Sequence, residues 1–331
     1  MRWLIELSGE HPTLPRAEAL AAVEAVGGKP VDVSQDGGFL RFEARMKPEL
    51  VAERLAFSHF VDEEIVAGSF DEVVAAAEAT DMYGARFMVR APAKGTNSMH
   101  QTIEKEIGQI LARTGKVDLK RPFVTFRVLE GQRWHFCKVA GRVDRKQFER
   151  RKTSRRPFIK PVSLHPTLAR ALVNLSRIGA QQTLLDPFCG TGGILLEAAL
   201  IGAEVMGSDV DERMAEGTWR TMFHYKRGMA GLFTLDVGSI PERIDKVDAI
   251  ATDPPYGRSS STKKEPLESL YRRSFEAFAK LLRPGGRVAI CLPDGKYAQL
   301  AGESFALQEE HSVKVHGSLT RHFMVFARSS P

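Results

Sequence analysis

The chain has 331 residues, 43% hydrophobic and 27% charged, with 28 Gly and 17 Pro; this is the composition of a globular protein of two or three domains and excludes collagen-like, low-complexity and disordered classes. No run approaches the ~18 to 20 consecutive apolar residues of a membrane span, and Glu6 interrupts the N-terminus too early for a signal peptide, so no membrane contact and a cytoplasmic location are expected. The net charge of +6 hides an asymmetry: residues 1 to 81 hold 7 Lys/Arg against 16 Asp/Glu, residues 82 to 160 hold 20 against 6, and the remaining 171 hold 20 against 19.

In chain order, the first 66 residues read as strand, helix, strand, a Gly37-Gly38 turn, strand, helix and strand, the β-α-β-β-α-β order of a ferredoxin-like unit. Residues 67–141 read as a second α+β module whose long helix is capped by Ser98 and stopped by Gly115. Residues 142–160 form a basic linker carrying Arg142, Arg145, Lys146, Arg150, Arg151, Lys152, Arg155 and Arg156. A polyanion is the expected partner of such a strip, because each neutralised phosphate releases counterions.

From 161 to 331 short apolar strands alternate with helices, which predicts a doubly wound, Rossmann-like parallel sheet closed by a final strand pair joined at Gly317. A fragment beginning near Pro161 is expected to fold on its own. Cys137, Cys189 and Cys291 form no C-x-x-C pair, and the nine His show no metal-ligand spacing, so no metal is expected.

Two turns carry chemistry. The strand Thr183–Leu185 runs into Asp186-Pro187-Phe188-Cys189-Gly190-Thr191-Gly192-Gly193 and then a helix. Glycines at a strand-to-helix turn let a ligand approach the backbone. The spacing is not G-x-G-x-x-G, and Asp186 would repel a pyrophosphate; an ammonium and a sulfonium suit it better, which points to S-adenosylmethionine. Asp209, with Val210, ends the next strand where a ribose diol is gripped, and Asp236, with Val237, follows the third strand at reach of an adenine edge. His165-Pro166 opens a helix that closes over the methionine end.

The second turn, Asp253-Pro254-Pro255-Tyr256, follows Val247–Ala251. The lone pair of an exocyclic base amine is delocalised into the ring. A carboxylate and a carbonyl accepting its hydrogens draw it toward a nucleophilic state, the prolines fix the turn, and the tyrosine ring can stack on an extruded base.

Asp186-Pro-Phe-Cys-Gly-Thr-Gly-Gly193, Ala251-Thr-Asp-Pro-Pro-Tyr-Gly257 and Ser318-Leu-Thr-Arg-His-Phe323 together resemble the archaeal tRNA guanosine-10 N2-methyltransferases, and Phe87–Ala91 with Val117–Pro122 is similar to the THUMP module of RNA-modifying enzymes. The resemblance implies a THUMP half that docks the tRNA acceptor end, drawing also on Arg90, Lys94, Lys120 and Arg121. It further implies methylation of the guanine amine once or twice, with a small activator protein serving some relatives; the chain is otherwise expected to be a monomer. Trp219-Arg220-Thr221 departs from the Asn-Leu expected there. Three rivals remain: a THUMP relative acting on another tRNA guanosine, an adenine- or cytosine-directed enzyme, and a non-catalytic RNA-binding protein. With 30 residues between Tyr256 and Arg287, no large target-recognition segment follows the second turn, so recognition falls to the N-terminal half.

Overall fold

The computed structural model describes residues 1–91, 97–160, 163–257, 265–316 and 319–329. Lys94, Pro161, Gly317 and Ser318 lie outside them, as does the Ser98 side chain. The N-terminal elements are β1 (Arg2–Leu7), α1 (Leu14–Ala25), β2 (Val31–Asp36), β3 (Phe39–Glu43), α2 (Pro48–Arg54), β4 (Ser58–Gly68), α3 (Phe70–Glu78), β5 (Arg86–Arg90), α4 (Asn97–Leu111), β6 (Lys116–Val117), β7 (Val124–Glu130) and β8 (Trp134–Arg142). There follow α5 (Lys146–Arg150), α6 (Pro166–Leu175), β9 (Thr183–Asp186), α7 (Gly193–Leu200), β10 (Glu204–Ser208), α8 (Glu212–His224), β11 (Gly231–Phe233), β12 (Val247–Thr252), α9 (Leu267–Leu281), β13 (Leu282–Leu292), β14 (Phe305–His316) and β15 (Leu319–Arg328).

Two compact units contain one sheet each: residues 1–10, 28–53 and 58–144 form the first, and residues 11–27, 54–57 and 145–331 the second. The first sheet runs β2-β3-β1-β4-β8-β7-β5-β6, antiparallel except where β5 meets β6 and β7. Local chemistry sets its elements. Ser69 caps α3 reciprocally with Glu72: Ser69 Oγ accepts from the Glu72 N–H at 3.2 Å, and Glu72 Oε2 accepts from the Ser69 N–H at 2.7 Å, satisfying two donors that a helix start leaves open. Ile103, Ile107 and Leu111 recur every four residues on α4 and bury one stripe against Phe87, Val89, Phe126 and Phe136.

The second sheet runs β11-β10-β9-β12-β13-β15-β14, parallel but for β15. The strand order reverses between β9 and β12, the switch point where open α/β sheets take their ligands.

The helix expected in the N-terminal module, α1, instead belongs to the second unit. Leu14 and Ala21 share a core with Leu172, Leu175 and Ile178. The buried Glu18 accepts hydrogen bonds at 2.9 Å from the backbone of Ala56, from that of Phe57 and from Asn174 Nδ2. Arg54 Nη2 donates to the Ile178 carbonyl at 2.6 Å. A fragment starting at Pro161 therefore lacks part of its own core, which corrects the expectation that it folds alone.

Candidate active site

Asp186 ends β9, fully buried, with Oδ1 accepting from Thr252 Oγ1 at 2.7 Å and from the Phe188 N–H at 3.2 Å. Burial raises its carboxyl to about 7, against those two donors, and the nearby charges of Asp209 and Asp253 add to the rise. The chain then turns through Pro187, Phe188 and Cys189, whose N–H donates to the Ser208 carbonyl. The buried Thr191 sits 2.9 Å, Oγ1 to Oγ, from Ser163. Gly192 has φ 77° and no side-chain cap reaches it, so α7 begins on bare backbone. A side chain at Gly193 would place its Cβ 2.6 Å from Arg156 Nη1.

Asp209 follows β10. Its Oδ2 accepts from the Gly190 N–H and its Oδ1 from the Asp211 N–H, both at 3.0 Å, which ties the second strand end to the glycine loop. Its carboxyl is raised, chiefly by burial. Asp236 caps a short 3-10 turn starting at the buried Val237, accepting from the Gly238 N–H at 2.9 Å. Arg273 grips it with both terminal nitrogens, one at 2.9 Å, and also binds Glu265. His165 acts as N-cap of α6: its Nδ1 accepts from the Thr167 N–H at 3.3 Å, and Pro166 takes the first helical position.

Across the switch point, β12 delivers Asp253 just beyond Thr252. Asp253 is held from two sides: Arg321 on β15 places Nη2 3.3 Å from Oδ2, and the Tyr256 hydroxyl donates to Oδ1. Burial lifts the Asp253 carboxyl to about 6, opposed by Arg321 and then by Tyr256. Pro254 is buried, and the Pro255 carbonyl accepts from the Tyr271 hydroxyl at 2.8 Å, which pins the turn to α9.

Glycine loop and carboxylate turn thus meet at neighbouring strand ends, joined by the Thr252–Asp186 hydrogen bond. Sequence reading placed both turns. It missed the pairing roles of Thr252, Tyr271 and Arg321, of which Arg321 had a visible signal in the Ser318–Phe323 motif.

The basic strip divides. Arg142, Lys146, Arg150 and Arg155 are exposed, and Arg145 and Lys152 half-buried. Arg151 and Arg156 are interior. Arg151 makes a bidentate pair with the buried Glu197 at 2.9 Å for each bond, and Arg170 adds a third at 2.8 Å. Arg156 Nε donates to the Arg151 carbonyl at 3.0 Å. Neither is a surface cation, which corrects their place in the strip. In the first unit Arg90 is exposed and pairs with Glu104 at 3.3 Å. Lys120 and Arg121 are also exposed, their backbone N–H groups held by Asp118.

No group of metal-ligating side chains occurs among the described residues, and none of their helices is long and apolar enough to cross a membrane.

Residues 153–322 match the family model described as RMKL-like, methyltransferase domain. The tRNA (guanine(10)-N2)-dimethyltransferase of Methanothermobacter thermautotrophicus is 36% identical over 99% of this chain and 100% of its own. That of Pyrococcus abyssi is 33% identical over 97% and 98%. Among solved structures, TrmN from Thermus thermophilus superposes with a TM-score of 0.51 and 25% identity over 99% of this chain and 100% of its own. Shared fold alone does not sustain such identity from end to end, so the chain belongs to the tRNA (guanine(10)-N2)-dimethyltransferase family.

Proposed function

We propose that the protein transfers one or two methyl groups from S-adenosylmethionine to the exocyclic N2 amine of guanosine at position 10 of tRNA. The observation that carries this reading is the carboxylate turn 253–256 standing beside the glycine loop at the switch point, with Thr252 bridging them through Asp186.

The residues suit the cofactor. Bare backbone at Gly190 to Gly193 admits a close ligand, Asp209 keeps lone pairs for a diol, and the buried acid Asp186 favours a cationic guest. S-adenosylmethionine supplies a methyl group on a positively charged sulfur and departs with the electron pair of the broken bond. Asp253 accepts a hydrogen bond from the amine, localises its lone pair and takes the proton set free as the N–C bond forms. Tyr256 offers its ring to the base, and the Tyr271 hydroxyl on the Pro255 carbonyl keeps the turn from yielding. After one transfer the N2 amine still has one hydrogen for Asp253, so the same geometry serves a second.

We read the strands β1 to β4 as a ferredoxin-like arrangement whose first helix, α1, belongs to the second unit, and residues 67–141 as a THUMP module that carries the tRNA. The strand order β2-β3-β1-β4 and the exposed Arg90, Lys120, Arg121 and Arg142 support that reading. Mass spectrometry of nucleosides from tRNA incubated with the protein and labelled cofactor, with oligonucleotide fragments of the same tRNA to give the position, tests it: the label should appear in N2-methyl- or N2,N2-dimethylguanosine, in the fragment that contains position 10. Label in adenosine, or none, overturns the reading. Running the purified chain alone also decides whether an activator protein is needed.

A further inference from the structure

Arg321 enters the site from the far end of the chain. Its strand, β15, is antiparallel to β13, two strands from β12, and this registration brings the guanidinium to the end of β12. The side chain is 8% exposed, within 3.3 Å of Asp253 Oδ2, and its guanidinium carbon lies 5.7 Å from the centre of the Tyr256 ring. The Tyr256 hydroxyl donates to the other oxygen of the same carboxylate.

The remaining groups around Asp253 are Asp186 at the end of β9, Cys291 on β13 and Tyr271 on α9. The first is an acid. The other two are kept protonated, because burial lifts the Cys291 thiol and the Tyr271 hydroxyl. Among the described residues facing Asp253, the positive charge is therefore that of Arg321. A buried carboxylate without such a partner becomes neutral. A neutral acid accepts weakly from an amine and cannot take its proton.

We propose that Arg321 is a positioning residue for methyl transfer: it keeps Asp253 ionised in a water-poor crevice and fixes Oδ2, so that Oδ1, released when Tyr256 swings to stack on the base, meets the target amine. This rests on the reading of function above. A planar fork suits the task better than an ammonium, since one face covers the tyrosine ring while the edge meets the carboxylate.

The test is the pH profile of single-turnover methyl transfer at saturating cofactor and tRNA for the wild type, R321Q and R321K, together with cofactor affinity and melting temperature. Loss of a nearby cation moves a carboxylate by about 1 to 3 pH units, so the acid limb should rise by that much in R321Q relative to the wild type. Neutral-pH rates then fall tenfold or more, recover toward pH 9, and leave cofactor affinity within about threefold. R321K, which restores the charge, should return the limb close to its original position while keeping a lower plateau.

An R321Q limb unmoved from the wild type overturns the proposal. If R321Q folds poorly, the double variant D253N/R321Q decides: removing the charge that Arg321 balances should restore the melting temperature to that of D253N, and a double variant melting as low as R321Q overturns the idea. Should the wild type itself label no guanosine, the reading of function falls, and the melting comparison still judges whether Arg321 compensates Asp253.

Discussion

Each unit holds a cluster of buried carboxylates, one around His135 and one at the switch point, and the two are balanced in opposite ways. In the first unit the fully buried His135 lies between two acids, Nδ1 2.9 Å from Glu64 Oε1 and Nε2 3.1 Å from Asp36 Oδ2. Arg41 completes Glu64 with bonds of 2.7 and 2.6 Å, and the backbone of Gln132 and Arg133 completes Asp36. Although burial pushes upward, these partners hold Glu64 at about 2 and Asp36 below the usual range. In the second unit Asp186 and Asp253 stand at about 7 and about 6. The His135 cluster closes its own charge balance, whereas Asp186 is met only by hydrogen-bond donors and other acids. Burial lifts the structural acids Glu18 and Asp62 to about 7 as well, so it is the place of Asp186 beside the glycine loop, and not its raised carboxyl alone, that suits a cationic ligand.

Asp253→Ala separates the two kinds most sharply. It should cut turnover by about a thousandfold or more, several kcal/mol of transition-state stabilisation, while cofactor affinity by calorimetry stays within about threefold. Equal loss of both would show that Asp253 holds the cofactor instead. His135→Ala should do the converse, costing about 3 to 5 kcal/mol of stability by leaving two buried acids short of a partner. The protein that remains folded should bind cofactor normally; a denaturant midpoint equal to the parent would dissolve the comparison. The signs on acidification also differ. Glu64, depressed in the fold, contributes stability above pH 4.5 that is lost as pH falls toward 2. Asp186, raised in the fold, costs stability as pH climbs from 4 through 7, because the unfolded chain releases that proton earlier.

Cofactor binding probes the crevice acids directly. A cationic guest favours the ionised form of Asp186, so S-adenosylmethionine affinity should weaken as pH falls below 7, by at most about tenfold per pH unit for one proton. The neutral product S-adenosylhomocysteine should respond much less. Calorimetry in buffers of different ionisation enthalpy counts the proton released on binding near pH 6.5; identical pH profiles for the two ligands would mean that Asp186 does not sense the charge. Asp209→Ala should cost roughly 1 to 3 kcal/mol of cofactor affinity through the missing charged hydrogen bonds, and an unchanged dissociation constant would remove it from the ribose site.

What the sequence made legible was local. The strand-to-glycine-to-helix turn at 183–194 and the Asp253–Tyr256 turn declare themselves within a dozen residues, since backbone conformation and ligand chemistry are both written there. Alternation of short apolar strands with helices was enough for the doubly wound sheet. Long-range partners were not legible. α1 looks like part of the N-terminal module until Asn174 and the 54–57 segment are seen closing around Glu18. Arg321 meets Asp253 only because β15 inserts beside β13. One clue was available and unused: Glu197 is a lone acid in the otherwise apolar helix Gly193–Leu200, and an acid so placed asks for buried cations.

Those cations, Arg151 and Arg170, shape the last and smallest prediction. A basic run is ordinarily read as one surface, yet this one divides by burial. Reversing the exposed Lys146, Arg150 and Arg155 to Glu should leave melting temperature and cofactor affinity near parental values, because none of them lies in the core. It should flatten the logarithmic dependence of tRNA affinity on salt by about 0.7 to 0.9 for each phosphate that is no longer neutralised. Arg151→Glu should behave differently. It sets a second carboxylate against Glu197 where neither reaches water, so the expected result is a destabilised fold, not a gentler salt slope. If the triple variant keeps the parental slope, the strip is a solvated connector and tRNA is held elsewhere. If Arg151→Glu folds like the parent and weakens tRNA binding as the exposed residues do, the division of the strip into interior and surface cations is wrong.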